Sequence, residues 1–263
     1  MNSILDLARA KRDRRAIVMI AAYDTLVARV IAASEADAIL VGDSVAMTVH
    51  GHASTVHATL GLMAAHTAAV RRGAGDRLVV SDLPFLAARR GPERAVEAAG
   101  ELVRAGANAV KLEGLAGHEA AITRLVESGI PVFGHLGLTP QTVNQLGGYR
   151  IQGREPAAAE RLRCDARTLE ALGASAIVLE CVPAALAAEI TRERGIPTIG
   201  IGAGAATDGQ VLVWSDLFGL DAEFRPRFAR RYADGHALLR DALDRFARDV
   251  RAAEFPAANE VPA

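Results

Sequence analysis

AVKLE at residues 109–113 is an apolar, β-type run that carries two ionisable side chains, Lys111 and Glu113. The same design recurs in ILVGDS at 39–44, LVVSD at 78–82 and AIVLE at 176–180. Each run reads as a buried strand that delivers a charge at its carboxyl end. In a parallel α/β protein that end is where ligands bind and chemistry occurs. Lys111 stands out further, because among 30 basic residues only it and Lys11 are lysines.

Outward from these four runs the chain alternates strand-like and helix-like segments. Further strands are expected near 16–22, 131–134, 198–202 and 211–214, all continuous apolar runs of the kind that parallel strands covered on both faces produce. Helical patterns fill 26–35, 59–72, 92–104, 118–127 and 158–172. Gly106, Gly129, Gly173 and Gly195 each follow a helical stretch as stop signals, and Pro92 suits a first helical turn. Eight strands alternating with helices predict an α/β fold, a (β/α)8 TIM barrel. A doubly wound open sheet is the competitor, since periodicity does not decide closure. The barrel is preferred because it lets acids at the ends of strands 2, 3, 4 and 6 converge on one mouth. One domain over 1–263 is expected, with a capping helix at about 3–11, an amphipathic last helix near 234–252 and a loose tail from about 254.

Composition narrows the function. The chain is 263 residues long and 51% hydrophobic, enough for a barrel-sized core. Net charge is −1 and aromatics are 4%, with no basic stripe, so nucleic-acid binding has no support. No apolar run reaches the ~18 residues of a transmembrane helix. The basic cluster at 11–15 follows the first apolar patch, the wrong order for a secretory signal. Cys164 and Cys181 supply neither a disulfide framework nor a metal-ligand spacing, and a reducing cytoplasm is the expected location.

Asp43 and Asp82 follow adjacent strands, about 5 Å apart. Two carboxylates at that spacing repel unless a proton or cation lies between them. With Glu113 on strand 4 they form a hard oxygen set for Mg2+, which takes one or two carboxylates and keeps waters. The ordinary alternative is structural: Asp43 caps the next turn, and Asp82 is an N-cap or an arginine's partner. Lys111 lies two before Glu113, on the same side of an ideal strand and one layer lower. A lysine inside a barrel needs a countercharge, and Asp82 is placed to supply it. Lys111 then serves as a structural ion pair, an anion binder or a Schiff-base amine. Glu180 ends strand 6, across the mouth from strands 2 and 3, and suits a proton acceptor; alternatively it caps the helix from Pro183. Cys181 reads as core. His50, His52 and His57 lie in a long loop after strand 2. A zinc site there lacks a third ligand at standard spacing, and a mobile lid is preferred. His135 follows strand 5 and either lines the mouth or is a satisfied structural histidine. The glycines at 200, 202 and 204 come too late for a dinucleotide motif and are followed by TDGQ rather than a helix. They either admit a ligand or pack tightly.

The runs AYDTLVARV, ILVGDSVAMTVHGHAST, RAGANAVKLEG, GHLGLTPQ, GGYRIQGR, VLECVP and IPTIGIGAG, spread in order over about 5–250, resemble the ketopantoate hydroxymethyltransferase family. The resemblance implies a barrel of the phosphoenolpyruvate/pyruvate type, one Mg2+ per subunit, 5,10-methylenetetrahydrofolate as one-carbon donor and a homo-oligomer, often a decamer. It also implies that Asp43, Asp82 and Glu113 are the metal positions, with Glu113 acting through a water. Asp43, Ser44, Asp82 and Lys111 are then the oxo-acid site, and Glu180 the proton acceptor for C3 of 3-methyl-2-oxobutanoate. The product is 2-dehydropantoate, for pantothenate synthesis. One departure falls in the lid, where His57 replaces an expected proline. The rival readings are a Lys111 Schiff-base aldolase, a metal-dependent 2-oxo-acid lyase, whose usual cysteine-bearing lid motif is missing here, and a ligand-binding barrel without catalysis.

Overall fold

The computed structural model describes residue 1, residues 3–257 and residues 259–260. Eight strands form one closed parallel barrel in sequence order. They are β1 (Ile17–Ala21), β2 (Ala38–Val41), β3 (Leu78–Asp82), β4 (Ala109–Glu113), β5 (Val132–Gly137), β6 (Ala176–Glu180), β7 (Thr198–Ile201) and β8 (Gly209–Val213). The eleven described α-helices are α1 (Ile4–Arg12), α2 (Thr25–Ala32), α3 (Val45–Thr48), α4 (Leu60–Gly73), α5 (Pro92–Arg104), α6 (Glu119–Glu127), α7 (Val143–Leu146), α8 (Pro156–Ala171), α9 (Ala184–Glu193), α10 (Trp214–Phe218) and α11 (Gly235–Arg251). Closure is what periodicity left open, and it brings the ends of β2, β3, β4 and β6 round a single mouth. The chain resolves into two compact units, 1–212 and 213–263.

Local chemistry sets the element ends. Asp24 caps α2 by accepting from the Leu26 and Val27 amides at 2.8 and 2.9 Å, and Ser3 and Asp6 cap α1 reciprocally. Pro92 opens α5, where its missing N–H costs nothing. Gly106, Gly129 and Gly173 take positive φ beyond their helices, as the stop signals require. Gly195 does not: α9 ends at Glu193, Arg194 is extended, and the Gly195 N–H donates to Glu170 Oε1 at 2.6 Å. Lys11, the second lysine, reaches from α1 to Asp208 Oδ2 at 2.7 Å and the Thr191 carbonyl at 2.9 Å. Met1 accepts from the Leu78 amide at 3.0 Å, so the N-terminus lies against the amino ends of the strands.

The second unit holds α10, α11 and the segment between them. Arg231 ties that segment together by donating to the carbonyls of Asp221 and Phe224 at 2.6 and 3.2 Å, and Asp234 caps α11. On α11, Leu239, Leu243, Phe246 and Val250 recur at helical spacing and are all exposed. Of the tail expected to be loose, residues 258 and 261–263 lie outside the described residues.

Candidate active site

The register of the barrel aligns the charged strand ends. Asp82 pairs with Lys111, Glu113 with His135, and Gly137 with Glu180 across neighbouring strands. Asp43, Asp82, Lys111, Glu113 and His135 are each no more than 5% exposed. The Asp43 amide donates to Asp82 Oδ2 at 3.0 Å, joining the ends of β2 and β3. Lys111 Nζ lies 3.1 Å from Asp82 Oδ1 and 4.0 Å from Glu113 Oε1, the countercharges expected for a lysine inside the barrel. Asp43 is not a helix cap: Ser44 occupies the N-cap of α3, and Asp43 Oδ2 instead accepts from Gln141 Nε2 at 2.8 Å. Ser44 Oγ faces the Tyr23 hydroxyl at 2.7 Å. Burial pushes that phenol up to about 12, so it stays protonated as a hydrogen-bonding partner.

His135 and Gln141 are the members that sequence reasoning left out or left open. His135 Nδ1 lies 3.2 Å from Lys111 Nζ and 3.4 Å from Glu113 Oε1, while Nε2 lies 3.1 Å from Glu180 Oε2. The imidazole therefore links the acid cluster to Glu180, which is one ring away rather than isolated across the mouth. Gln141, just beyond β5, donates its amide N–H to Glu113 Oε2 at 2.9 Å and its side-chain Nε2 to the Leu83 carbonyl at 3.0 Å.

Glu180 is not a helix cap either, because Pro183 holds the N-cap of α9 without a side-chain bond. Gly137 has φ 98°, and a Cβ there would collide with the Glu180 carbonyl, so the close approach of β5 to the end of β6 requires glycine. Cys181 follows Glu180 with φ 48°, a left-handed bend uncommon for a residue with a side chain and a mark of local strain. Cys181 is half-buried at that bend, outside the core it was assigned to, and burial followed by the Glu180 charge pushes its thiol up to about 11.

The electrostatics favour a positive guest. Burial, then the Glu113 and Asp82 charges, push the Asp43 carboxyl well above its ordinary range against the pull of Lys111 and Gln141. Burial also raises Asp82, although Lys111 and the Asp43 amide oppose it. Glu113 moves the other way: burial is outweighed by His135, Lys111 and the Gln141 amide. Burial would deprotonate Lys111, but Asp82, Glu113 and Asp43 together hold the ammonium above its usual value. Burial and Lys111 oppose a charged His135, but Glu113 and Glu180 carry its ring to about 9. Four carboxyl groups thus face two cationic partners, and the upward shift of Asp43 and Asp82 reports the shortage of positive charge.

Two buried polar atoms of this cluster, Asp82 Oδ1 and His135 Nε2, lack a formed hydrogen bond. Lys111 and Glu180 stand within 3.1 Å of them but off the hydrogen-bond line, so these contacts are charge pairings. Among the described residues no three His, Cys, Asp or Glu side chains close into a ready ligand set. The donor chemistry nevertheless fits a hard divalent ion that keeps most of its waters: Asp43 and Asp82 are adjacent, oxygen-bearing and short of positive charge.

The loop after β2 is folded rather than open, with α3 and a 3-10 turn at Thr55–His57. Its histidines do not gather for zinc. His50 Nε2 faces His66 Nε2 at 2.9 Å, and His52 stacks on His57 with centroids 4.6 Å apart. At Gly204 a Cβ would press on Ala184, which favours the tight-packing reading of the late glycine cluster. No described helix is long and apolar enough to cross a membrane.

Solved structures sharing this architecture include 2,3-dimethylmalate lyase, a PEP mutase/isocitrate lyase superfamily member, with a TM-score of 0.64, 19% identity, and 95% of this chain and 86% of that chain covered. Phosphonopyruvate hydrolase, solved with oxalate and Mg++, also gives a TM-score of 0.64, at 12% identity, covering 100% of this chain and 92% of that one. At these identities the likeness establishes the fold alone. Sequence relatives are much nearer. The 3-methyl-2-oxobutanoate hydroxymethyltransferase of Bdellovibrio bacteriovorus is 48% identical over 260 residues, 99% of each chain. Those of Coxiella burnetii and Francisella tularensis subsp. novicida are 46% and 44% identical, over 95% and 97% of this chain and the same shares of their own lengths. The sequence profile of ketopantoate hydroxymethyltransferase matches residues 2–258, and the chain belongs to that family of enzymes.

Proposed function

We propose that the chain transfers a hydroxymethyl group from 5,10-methylenetetrahydrofolate to 3-methyl-2-oxobutanoate, giving 2-dehydropantoate. In sum, oxo acid, methylenetetrahydrofolate and water yield the product and tetrahydrofolate. The observation that carries this reading is the buried cluster of Asp43, Asp82 and Glu113 around Lys111, linked by His135 to the single carboxylate Glu180. Asp43 and Asp82, with Glu113, would hold Mg2+, which would supply Lewis-acid polarisation of the 2-oxo group and offset the negative charge developing there. The Lys111 ammonium and the Ser44 hydroxyl bind the substrate carboxylate. Glu180 takes the C3 proton, and His135 fixes the orientation of that carboxylate. The barrel mouth then holds C3 and the methylene carbon within about 3–3.5 Å for bond formation. A Schiff base is disfavoured, because the acids hold Lys111 as an ammonium rather than a free amine.

The test is proton NMR of 3-methyl-2-oxobutanoate in D2O without folate. The C3 hydrogen signal should disappear with Mg2+ present and persist with chelator. Persistence under both conditions would sink the reading.

We also infer a homo-oligomer, a decamer on the family resemblance, in the cytoplasm. The exposed apolar stripe of α11 supports burial against further copies, and the free Cys164 and Cys181 suit a reducing compartment. Light scattering should give a mass several-fold above the 27.6 kDa protomer, reduced in Leu243→Arg. A monomer with an intact stripe would refute the inference.

A further inference from the structure

We infer that Tyr149 is the platform on which the ring of the one-carbon donor lies. This rests on the folate-dependent reading proposed above. Residues 1–212 contain only four Phe, Tyr or Trp side chains: Tyr23, Phe85, Phe133 and Tyr149. Tyr23 and Phe133 are buried, whereas Phe85 is 39% and Tyr149 57% exposed. Both exposed rings belong to loops at the carboxyl ends of strands. Phe85 borders a small pocket with Leu112, His118 and Thr142. Tyr149 belongs to the loop that Gln141 anchors on the acids.

The loop that carries Tyr149 is pinned at both ends across the mouth. At its start, Gln141 bonds Glu113, Asp43 and the Leu83 carbonyl, reaching the ends of β4, β2 and β3. At its far end, the Gln152 amide donates to the Cys181 carbonyl at 2.9 Å, beside Glu180. Between these anchors Gly147 and Gly148 have φ of 69° and 109°, and a Cβ on either would meet nothing within 4 Å. Tyr149 thus sits on the loop that runs between these anchors, next to open space. Its hydroxyl lies 3.9 Å from Met47 Sδ, on the helix that follows Asp43 and Ser44. Burial of part of the ring, then the charges of Glu180, Asp43 and Glu113, raise its phenol, in keeping with a seat above them.

The donor's chemistry matches this place. It has a flat, partly aromatic ring system and an acidic tail, and its methylene must come within bonding reach of C3. An exposed aromatic face gives such a ring a stacking surface. Arg150 and Arg154 follow directly, are exposed, and form no ion pair among the described residues, so they are open to the tail's carboxylates.

Calorimetry with tetrahydrofolate as the probe tests the assignment. Tyr149→Ala should weaken tetrahydrofolate binding at least about tenfold and raise KM for methylenetetrahydrofolate in parallel, with affinity for 3-methyl-2-oxobutanoate unchanged. Tyr149→Phe should restore binding, since the ring and not the hydroxyl carries it. Unchanged tetrahydrofolate affinity in Tyr149→Ala would overturn the proposal, as would an equal loss of oxo-acid affinity. Wild-type protein that exchanges the C3 proton but neither binds tetrahydrofolate nor uses its methylene derivative would overturn the donor reading itself.

Discussion

Glu180→Gln slows loss of the C3 proton from 3-methyl-2-oxobutanoate by about 10²–10⁴-fold, the range that a positioned general base contributes. The amide has nearly the size of the carboxylate and can accept from His135 Nε2, so the strand end keeps its shape. It cannot take a proton at working pH. Glu180 meets the acid cluster at His135. Its link to the cluster runs through the His135 ring, 3.1 Å from Glu180 and 3.4 Å from Glu113. Binding of Mg2+ and of oxo acid should therefore survive, and the loss should fall on the exchange rate rather than on affinity. Deuterium exchange by NMR at saturating substrate, with separate calorimetry for the oxo acid and for Mg2+, reads the two effects apart. An unchanged exchange rate would remove Glu180 from the base role.

Much of this candidate site is legible in the sequence. Continuous apolar runs that end on Asp43, Asp82, Glu113 and Glu180 carry both the strand assignment and the position of the candidate site, because a run that stays apolar to its carboxyl end brings its terminal charge to the barrel mouth. Pro92 and the glycines at 106, 129 and 173 mark helix ends for equally local reasons. Closure was not legible, since an open sheet and a barrel present the same pattern to each strand. His135 shows what register adds. A lone histidine in a strand looks structural until Glu113 is found directly opposite, in the same layer of the barrel. Gln141 was hidden differently, since its role depends on a loop folding back over three strand ends. The histidines after β2 looked like a metal or lid motif in the sequence, and in space they pair off with His66 and with each other. Nor does an amphipathic pattern on α11 say what covers its apolar face.

Lys111→Met should destabilise the metal-free protein by about 3–5 kcal/mol, because it leaves buried carboxylates without their countercharge. For a chain of this length that is a fall of roughly 10 °C in melting temperature. Methionine fills much the same space, so lost packing is not the cause. The loss also has a direction in pH. Asp43 and Asp82 already have folded-state values above their unfolded ones, so their contribution to stability is fully present below the unfolded value and is lost as pH rises through the folded one. Removing Lys111 raises both further, since it is a cation that pulls both down. Lys111 itself is raised, so its own contribution persists up to its unfolded value, beyond the working range. The deficit of the variant should accordingly shrink as pH is lowered from about 8 to about 5, because protonated aspartates no longer need the ammonium. Calorimetric melting of both proteins in chelator at the two pH values measures it. An equal deficit at both would mean that Lys111 stabilises the barrel through contacts other than charge, and would remove the argument that the acid cluster awaits a cation.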